Sequence, residues 1–301
     1  MRITEPSLSL ARGPALTAVT LILPARNEGT SLAGLLPALR ESYPELQILV
    51  VDDGSVDDTR AQCQLHNVKV VRRPYAMGNG AAIKAGAREA ESEVLIFMDA
   101  DGQHRPADVV QLLARLNEGY DMVVGARGTE GQAGRRRTVG NYFYNRFASL
   151  ITGHKIEDLT SGFRAVRADK FREFLHLLPN GFSYPTTITM AFLRSGYSVA
   201  YVPIEVNDRI GTSHLKLVRD GVRLLLIIFK IGTMYAPLKI FAPASALFFL
   251  LGVINYAHSY FTDGRFTNMA TLLFVTAIIT FLIGLLSEQI TSLLYQRSGS
   301  R

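Results

Sequence analysis

LIFMDADGQH, Leu95–His104, runs four apolar residues straight into two aspartates separated by one alanine. Aspartate is a poor strand former, so a buried-looking strand that ends in two of them needs a reason. The same grammar recurs along the first two thirds of the chain. Apolar, β-rich runs appear at AVTLILP, LQILVVDD, VKVVRRP, EVLIFMDAD and YDMVVGAR. Helix-like stretches lie between them, over Ser31–Glu41, Asp57–His66, Gly78–Ala90 and Pro106–Gly119. Strand alternating with helix predicts an α/β fold with a mostly parallel sheet. Near-continuous apolar strands predict a sheet covered on both faces. In such sheets ligands bind beyond the carboxyl ends of the strands. The polar clusters after each run, Pro24–Glu28, Asp52–Ser55, Asp99–Gln103 and Gly125–Arg127, are therefore expected on one edge.

At a strand end, alternation points Asp99 and Asp101 to the same side. Two carboxylates so close repel unless a positive charge sits between them. A hard divalent ion such as Mg²⁺ or Mn²⁺ satisfies that need with oxygen ligands. Gln103 repeats the spacing and offers an amide oxygen. A solvated turn capping the helix after Pro106 accounts for an isolated D-x-D equally well. The pattern is not isolated, because Asp52 and Asp53 end another strand, Glu28 ends a third, and MGNGAAIKAG is a glycine turn opening a helix whose N–H groups suit an anion.

The rest of the chain is built for a different solvent. Phe241–Phe261 and Asn268–Ser287 contain no Asp, Glu, Lys or Arg, and each has about the 20 residues needed to cross a bilayer. They predict a transmembrane hairpin, with two buried core helices as the competing reading. Arg219, Arg223, Lys230 and Lys239 precede it and Arg297 and Arg301 follow, which places both ends in the cytoplasm. HLKLVRDGVRLLLIIFKIG, interrupted by charges, reads as helix lying along the headgroups. The formal charge is +6, which suits a membrane surface or a phosphorylated substrate. The basic residues gather near the membrane rather than on a stripe with aromatics, so no nucleic-acid partner is expected. Cys63 is the single cysteine, which excludes an internal disulfide and a four-cysteine zinc site. The N-terminal stretch lacks the apolar core of a secretion signal.

Taken in order, PARNE, VVDDGSVDDT, GNGAA, DADGQH, GAR and DLTSGFRA resemble family 2 glycosyltransferases of GT-A fold, and most closely the polyprenyl-phosphate hexosyltransferase branch that includes dolichyl-phosphate mannosyltransferase and bacterial undecaprenyl-phosphate glucosyltransferases. The resemblance covers roughly residues 20–217. It implies a tail over 1–18, a GT-A catalytic domain over 19–212, interfacial amphipathic helices over 213–236, a two-helix transmembrane hairpin over 237–296 and a cytoplasmic tail over 297–301. It implies an inverting transfer of a hexose from GDP-mannose or UDP-glucose to undecaprenyl or dolichyl phosphate.

The resemblance also implies roles. Pro24, Arg26 and Glu28 would line the nucleotide, and Val51, Asp52 and Asp53 would hold base and ribose. Asp99, Ala100 and Asp101 would meet the donor, with Asp99, Asp101 and Gln103 as metal ligands. Arg127 would meet phosphate. Asp158 would be the catalytic carboxylate, as a base or as a group that orients an arginine. Arg137, Asn145, Ser161, Arg164 and His214 would meet the acceptor phosphate, and Arg209 would assist catalysis there. RIGTSHLK departs from the branch's usual R-x-x-G-x-S-K, with His214 where lysine is usual. His214 would bring a pH dependence near neutrality. A homo-oligomer is left open. The alternatives are a catalytically inactive membrane scaffold or lipid-linked-sugar flippase subunit and, further off, a processive polysaccharide synthase. The synthases carry a Q-x-x-R-W motif that a chain without Trp cannot contain.

Overall fold

The structure is a computed structural model, and it describes residues 16–127, 135–181, 183–206, 229 and 232–296, with the backbone alone at 17, 135–143, 263 and 294–296. It divides into two compact units, Met1–Asn145 with Ile156–His214, and Arg146–Lys155 with Leu215–Arg301.

The first unit is a seven-stranded sheet. In chain order the strands are β1 (Val19–Ala25), β2 (Gln47–Asp52), β3 (Lys69–Arg72), β4 (Val94–Phe97), β5 (Met122–Arg127), β6 (Arg164–Arg167) and β7 (Val199–Ile204). Across the sheet they lie in the order β3-β2-β1-β4-β6-β5-β7. Only β6 runs antiparallel to its neighbours β4 and β5. The mostly parallel α/β fold expected from the alternation is what the chain adopts. β6 and β7 were not among the expected strands. RAVR is short with arginine at both ends, and VAYVPI contains Pro203, which an edge strand tolerates.

The helices are α1 (Gly29–Ser42), α2 (Thr59–Leu65), α3 (Asn79–Glu89), α4 (Asp108–Asn117), α5 (Arg135–Thr152), α6 (Ala168–Glu173) and α7 (Tyr184–Arg194). Leu32, Leu36 and Leu39 of α1 and Val109, Leu112 and Leu116 of α4 pack with Leu21, Leu23 and Ile96 in one core layer. On the other face Gly86 of α3 lies on Ile22 and Val51, and Phe171 of α6 packs tilted against Phe97 with ring centroids 4.7 Å apart. Covering both faces explains why every residue of β4 is buried. Each such Leu, Ile or Phe contributes about 1.5–3 kcal/mol. With both faces closed, polar chemistry is confined to the strand ends.

In the second unit, α8 (Pro237–Asp263) and α9 (Asn268–Gln296) form an antiparallel pair. Small residues let them approach. A Cβ on Gly284 would fall 2.7 Å from Cβ of Phe241, and the Ser245 hydroxyl donates to the Ala277 carbonyl at 2.8 Å. Gly264 at φ 63° ends α8 in the left-handed region. Both helices are long and apolar enough to cross a membrane, yet only 11% and 17% of their most apolar stretches are buried. A core helix of a soluble domain would be mostly covered, so the core-helix reading fails. The interfacial helix expected over 213–236 lies outside the described residues except for 229 and 232–236.

Two glycines give a paired test of the packing. A Cβ on Gly86 would sit 2.5 Å from Ile22 Cγ2, whereas one on Gly34 of α1 meets nothing within 4 Å. Replacing a helical glycine by alanine gains up to about 1 kcal/mol, but overpacking a core costs about 1–3 kcal/mol. The clash wins at position 86 and is absent at 34. Gly86→Ala is expected to lower the apparent melting temperature and Gly34→Ala to raise it, as read by thermal unfolding of the full chain in detergent.

Candidate active site

The chain order across the sheet reverses between β1 and β4, the point where open α/β sheets form a crevice. A cleft of about 470 Å³ opens there, lined by Pro24, Ala25, Arg26, Glu28, Asp53, Gly78, Asn79, Ala82, Asp99, Ala100, Asp101, Gln103 and Arg127. That volume suits a small organic ligand.

Side-chain bonds between loops build its rim. Asn27, at φ 55°, donates its N–H to the Ser55 hydroxyl and accepts from the Val56 N–H. The N–H groups of Glu28 and Gly29 donate to Thr59 Oγ1 and Asp57 Oδ2. The segment after β1 is thereby fixed to the segment after β2. Asp53 turns toward the cleft and accepts from the N–H groups of Met77 and Gly78 at 2.9 and 2.8 Å. Asp52 and Val51 do not line the cleft. Asp52 is buried, accepting from the Ser55 N–H at 2.7 Å to close the Gly-Ser turn, and Val51 packs under α3. A direct role for either side chain on base or ribose does not fit this placement.

The glycine turn before α3 also differs from its expected anion-cradle role. Gly78 has φ 104°, and a Cβ there would lie 2.5 Å from the Asn180 carbonyl oxygen. A Cβ on Gly80 would overlap the Pro179 carbonyl. The Ala81 N–H donates to the Asn180 carbonyl at 3.1 Å, and Lys84 Nζ donates to Leu178 O and Asn180 Oδ1. The two glycines let the segment at 178–181 dock onto the helix end. Gly78, Asn79 and Ala82 then form part of the cleft wall, which the spacing of the motif did not by itself assign.

Arg127, which lines the cleft, forms a bidentate pair with Asp158, Nε to Oδ2 at 2.7 Å and Nη2 to Oδ1 at 3.0 Å. Asp158 also accepts from the N–H groups of Arg127, Thr160 and Ser161 and from the Thr160 hydroxyl. Burial raises its pKa, but the hydrogen bonds and charge of Arg127 outweigh this and leave it below the ordinary value. Asp158 is 2% exposed. It is an anchor whose ionised form these bonds favour, and it holds Arg127 at the cleft. Gly162, in the same loop, lies against Asp99, where a Cβ would fall 2.8 Å from Oδ2.

Several residues expected at the acceptor have other partners. Asn145 donates to the Glu157 carbonyl and accepts from the Leu159 N–H, bracing the Asp158 loop. Ser161 is 1% exposed and Arg164 is fully buried, so neither side chain is open to an acceptor. Arg137 lies in the first turn of α5, and its side chain is outside the described residues, as are Arg209 and His214. His104 is buried, stacked on Phe163 at 4.9 Å, with Nε2 4.0 Å from Asp99 Oδ2. Burial pushes its pKa down to about 4, so the ring is neutral near pH 7.

Among the described residues no group of three His, Cys, Asp or Glu side chains converges. Asp99, Asp101 and Gln103 offer two carboxylates and an amide oxygen on one cleft wall. That donor set fits a hard ion that takes its remaining oxygens from water and substrate, as Mg²⁺ or Mn²⁺ does.

A family model described as glycosyl transferase family 2 matches residues 20–175. The chain belongs to glycosyltransferase family 2. A second model, the GtrB C-terminal hairpin, matches residues 236–293 of this glycosyltransferase. It is 33% identical to polyprenol monophosphomannose synthase of Mycolicibacterium smegmatis, over 63% of this chain and 77% of that one. It is 33% identical to undecaprenyl-phosphate mannosyltransferase of Micrococcus luteus, over 64% and 84%. Glucosyl-3-phosphoglycerate synthase from Mycobacterium tuberculosis, crystallised with Mn²⁺, UDP and glucosyl-3-phosphoglycerate, superposes with a TM-score of 0.60 at 19% identity, over 77% and 86%. That likeness establishes the fold of the catalytic unit.

Gly162 offers a direct check on the cleft. Gly162→Ala drives a methyl group into the Asp99 carboxylate, and misplacing a ligand by about 1 Å costs on the order of a hundredfold in rate. Expected are a loss of that size in glycosyl transfer and weaker Mn²⁺ binding, with the melting temperature held within a few degrees. Unchanged Mn²⁺ binding would remove Asp99 from the site.

Proposed function

We propose that this glycosyltransferase moves a hexosyl group from a nucleoside diphosphate sugar to a polyprenyl phosphate at the cytoplasmic face of a membrane. The observation that carries the reading is one chain with Asp99 and Asp101 in a cleft of about 470 Å³ and, after it, two long apolar helices whose surfaces are mostly uncovered. The named activities of its relatives support it, and so does the GtrB hairpin. GDP-mannose and UDP-glucose are the proposed donors. The isoprenoid tail stays in the bilayer while its phosphate enters the cleft. The positive residues flanking the hairpin support the cytoplasmic orientation.

In the mechanism, a phosphate oxygen of the acceptor attacks the anomeric carbon and the bond from that carbon to the diphosphate breaks, with inversion. Asp99, Asp101 and Gln103 would hold a divalent ion, which when bound would supply charge neutralisation at the departing diphosphate. Arg127, held rigid by Asp158, presents its guanidinium on the same side. Pro24, Arg26, Glu28 and Asp53 shape the nucleotide end. Arg137 and Arg209 are the proposed acceptor clamps, because arginine matches phosphate in a fixed fork.

The acceptor phosphate brings its own negative charge. With six donor contacts to its two oxygens, Asp158 has no role as a base in this scheme. The attacking species is the phosphate dianion, and no proton moves in the step.

The primary test uses the full chain in nanodiscs with Mg²⁺ or Mn²⁺. Radiolabelled GDP-mannose, UDP-glucose and UDP-N-acetylglucosamine are offered separately with undecaprenyl or dolichyl phosphate, and label is counted in the organic phase. Label from one donor is expected, abolished by EDTA and lowered about a hundredfold or more by Asp101→Ala. No lipid-borne label from any donor, in folded protein, would overturn the reading.

The dianion makes a separate prediction about pH. The second ionisation of a phosphate monoester lies at about 6, so kcat/KM for the acceptor falls as pH drops through that region. Asp158, with its pKa held below the ordinary carboxylate value, is ionised throughout that window. A thiophosphate acceptor, which ionises at lower pH, is expected to shift the acid limb downward. A limb that stays fixed across acceptors would restore a protein base.

A further inference from the structure

Arg164 opens β6 with its side chain wholly inside the protein. Nη1 donates to the Pro185 carbonyl at 3.1 Å and to the Thr189 hydroxyl at 3.2 Å, and Nη2 donates to the Ser161 carbonyl. Nε is buried without a hydrogen-bond partner. Among the described residues no carboxylate forms an ion pair with it. Arginine stays protonated at working pH even when buried, so this is a full positive charge in the core. Such a charge is among the most costly groups a core can hold. Carbonyls and a hydroxyl orient it but do not neutralise it.

Its location suggests what the charge acts on. Arg164 pairs with Phe97 of β4 and Val124 of β5, the strands that lead to Asp99 and Arg127. Its bond to Ser161 O supports the residue before Gly162, and Gly162 lies against Asp99. Asp158 and Asp99 are the carboxylates that its field reaches. Asp158 is matched by Arg127, while Arg73 stands 3.6 Å from Asp53 at the nucleotide end. Through the Ser161 carbonyl and Gly162 the charge of Arg164 stands behind the wall that presents Asp99.

We propose that Arg164 is a positioning residue of the donor site, whose buried charge loosens a divalent cation at Asp99 and Asp101 and tightens the nucleoside diphosphate that joins it. With the charge present, the metal-loaded cleft is one unit more positive and better matched to a diphosphate. Without it, the carboxylates hold the cation more tightly and the loaded site attracts the diphosphate less. The inference rests on reading the cleft as a nucleotide-sugar site.

The opposite signs separate this role from a structural one, because a distorted wall weakens both ligands together. The test compares full-length wild type with Arg164→Gln, Arg164→Met and Arg164→Lys in nanodiscs. Free Mn²⁺ is followed by electron paramagnetic resonance, and GDP and UDP binding at saturating Mn²⁺ by calorimetry. In the two neutral variants Mn²⁺ is expected to bind about three- to tenfold tighter and the nucleoside diphosphate to bind weaker by a similar factor. The lysine variant loses the guanidinium fork but keeps the charge, so both affinities are expected to stay within about threefold of wild type. Parallel weakening of both ligands, or unchanged Mn²⁺ affinity in a folded neutral variant, would overturn the proposal. If neither neutral variant folds, the lysine variant decides, because tenfold parallel losses there would assign Arg164 to contacts alone. Wild-type protein that binds neither Mn²⁺ nor nucleoside diphosphate would instead sink the donor-site reading itself.

Discussion

The bidentate pair between Asp158 and Arg127 joins the end of β5 to the loop that enters β6, and the far wall of the cleft takes its shape from that joint. A carboxylate with this many donors is both buried and ionised, a combination that burial alone would forbid. The loop it pins carries Thr160, Ser161 and Gly162. Through Gly162 it reaches Asp99, and through the Ser161 carbonyl it reaches Arg164. Asn145 closes the same loop from α5. The polar network therefore links three strand ends without lying between two sheet faces, where its desolvation would be far harder to offset.

The sheet sets the complementary constraint. Helices cover both of its faces, so β1 and β4 are apolar through almost their whole length and the reactive groups are forced to their carboxyl ends. The reversal of strand order between β1 and β4 opens the space there. A cleft at this edge follows from ordinary rules of α/β packing. Its chemistry comes from the few side chains at the strand ends.

Much of this was legible in the sequence because each signal was periodic. Five strands and four helices follow from alternation of apolar runs with helical spacing. Asp99 and Asp101 stand out because aspartate interrupts a strand. What stayed hidden depended on three-dimensional partners. Adjacent aspartates at 52 and 53 look equivalent in the chain, yet one closes a turn and the other faces the cleft. Arg164 is expected at the acceptor phosphate, whereas antiparallel pairing of β6 on both sides carries it into the core. Gly78 and Gly80 look like an anion turn, because the segment they accommodate is about a hundred residues away in the chain.

That last contact limits how the cleft can change over evolutionary time. The backbone at 179–181 is in contact with the space that side chains at 78 and 80 would occupy, and Lys84 holds the segment there from the next turn of the helix. A larger residue at either glycine displaces the segment, while a displaced segment strips Lys84 of its acceptors. Drift at one place must therefore be matched at the other. The wall at Gly78 and Gly80 is a region where descendants of this chain are expected to vary in concert or not at all, and change in the cleft is more accessible through Arg26 and Glu28.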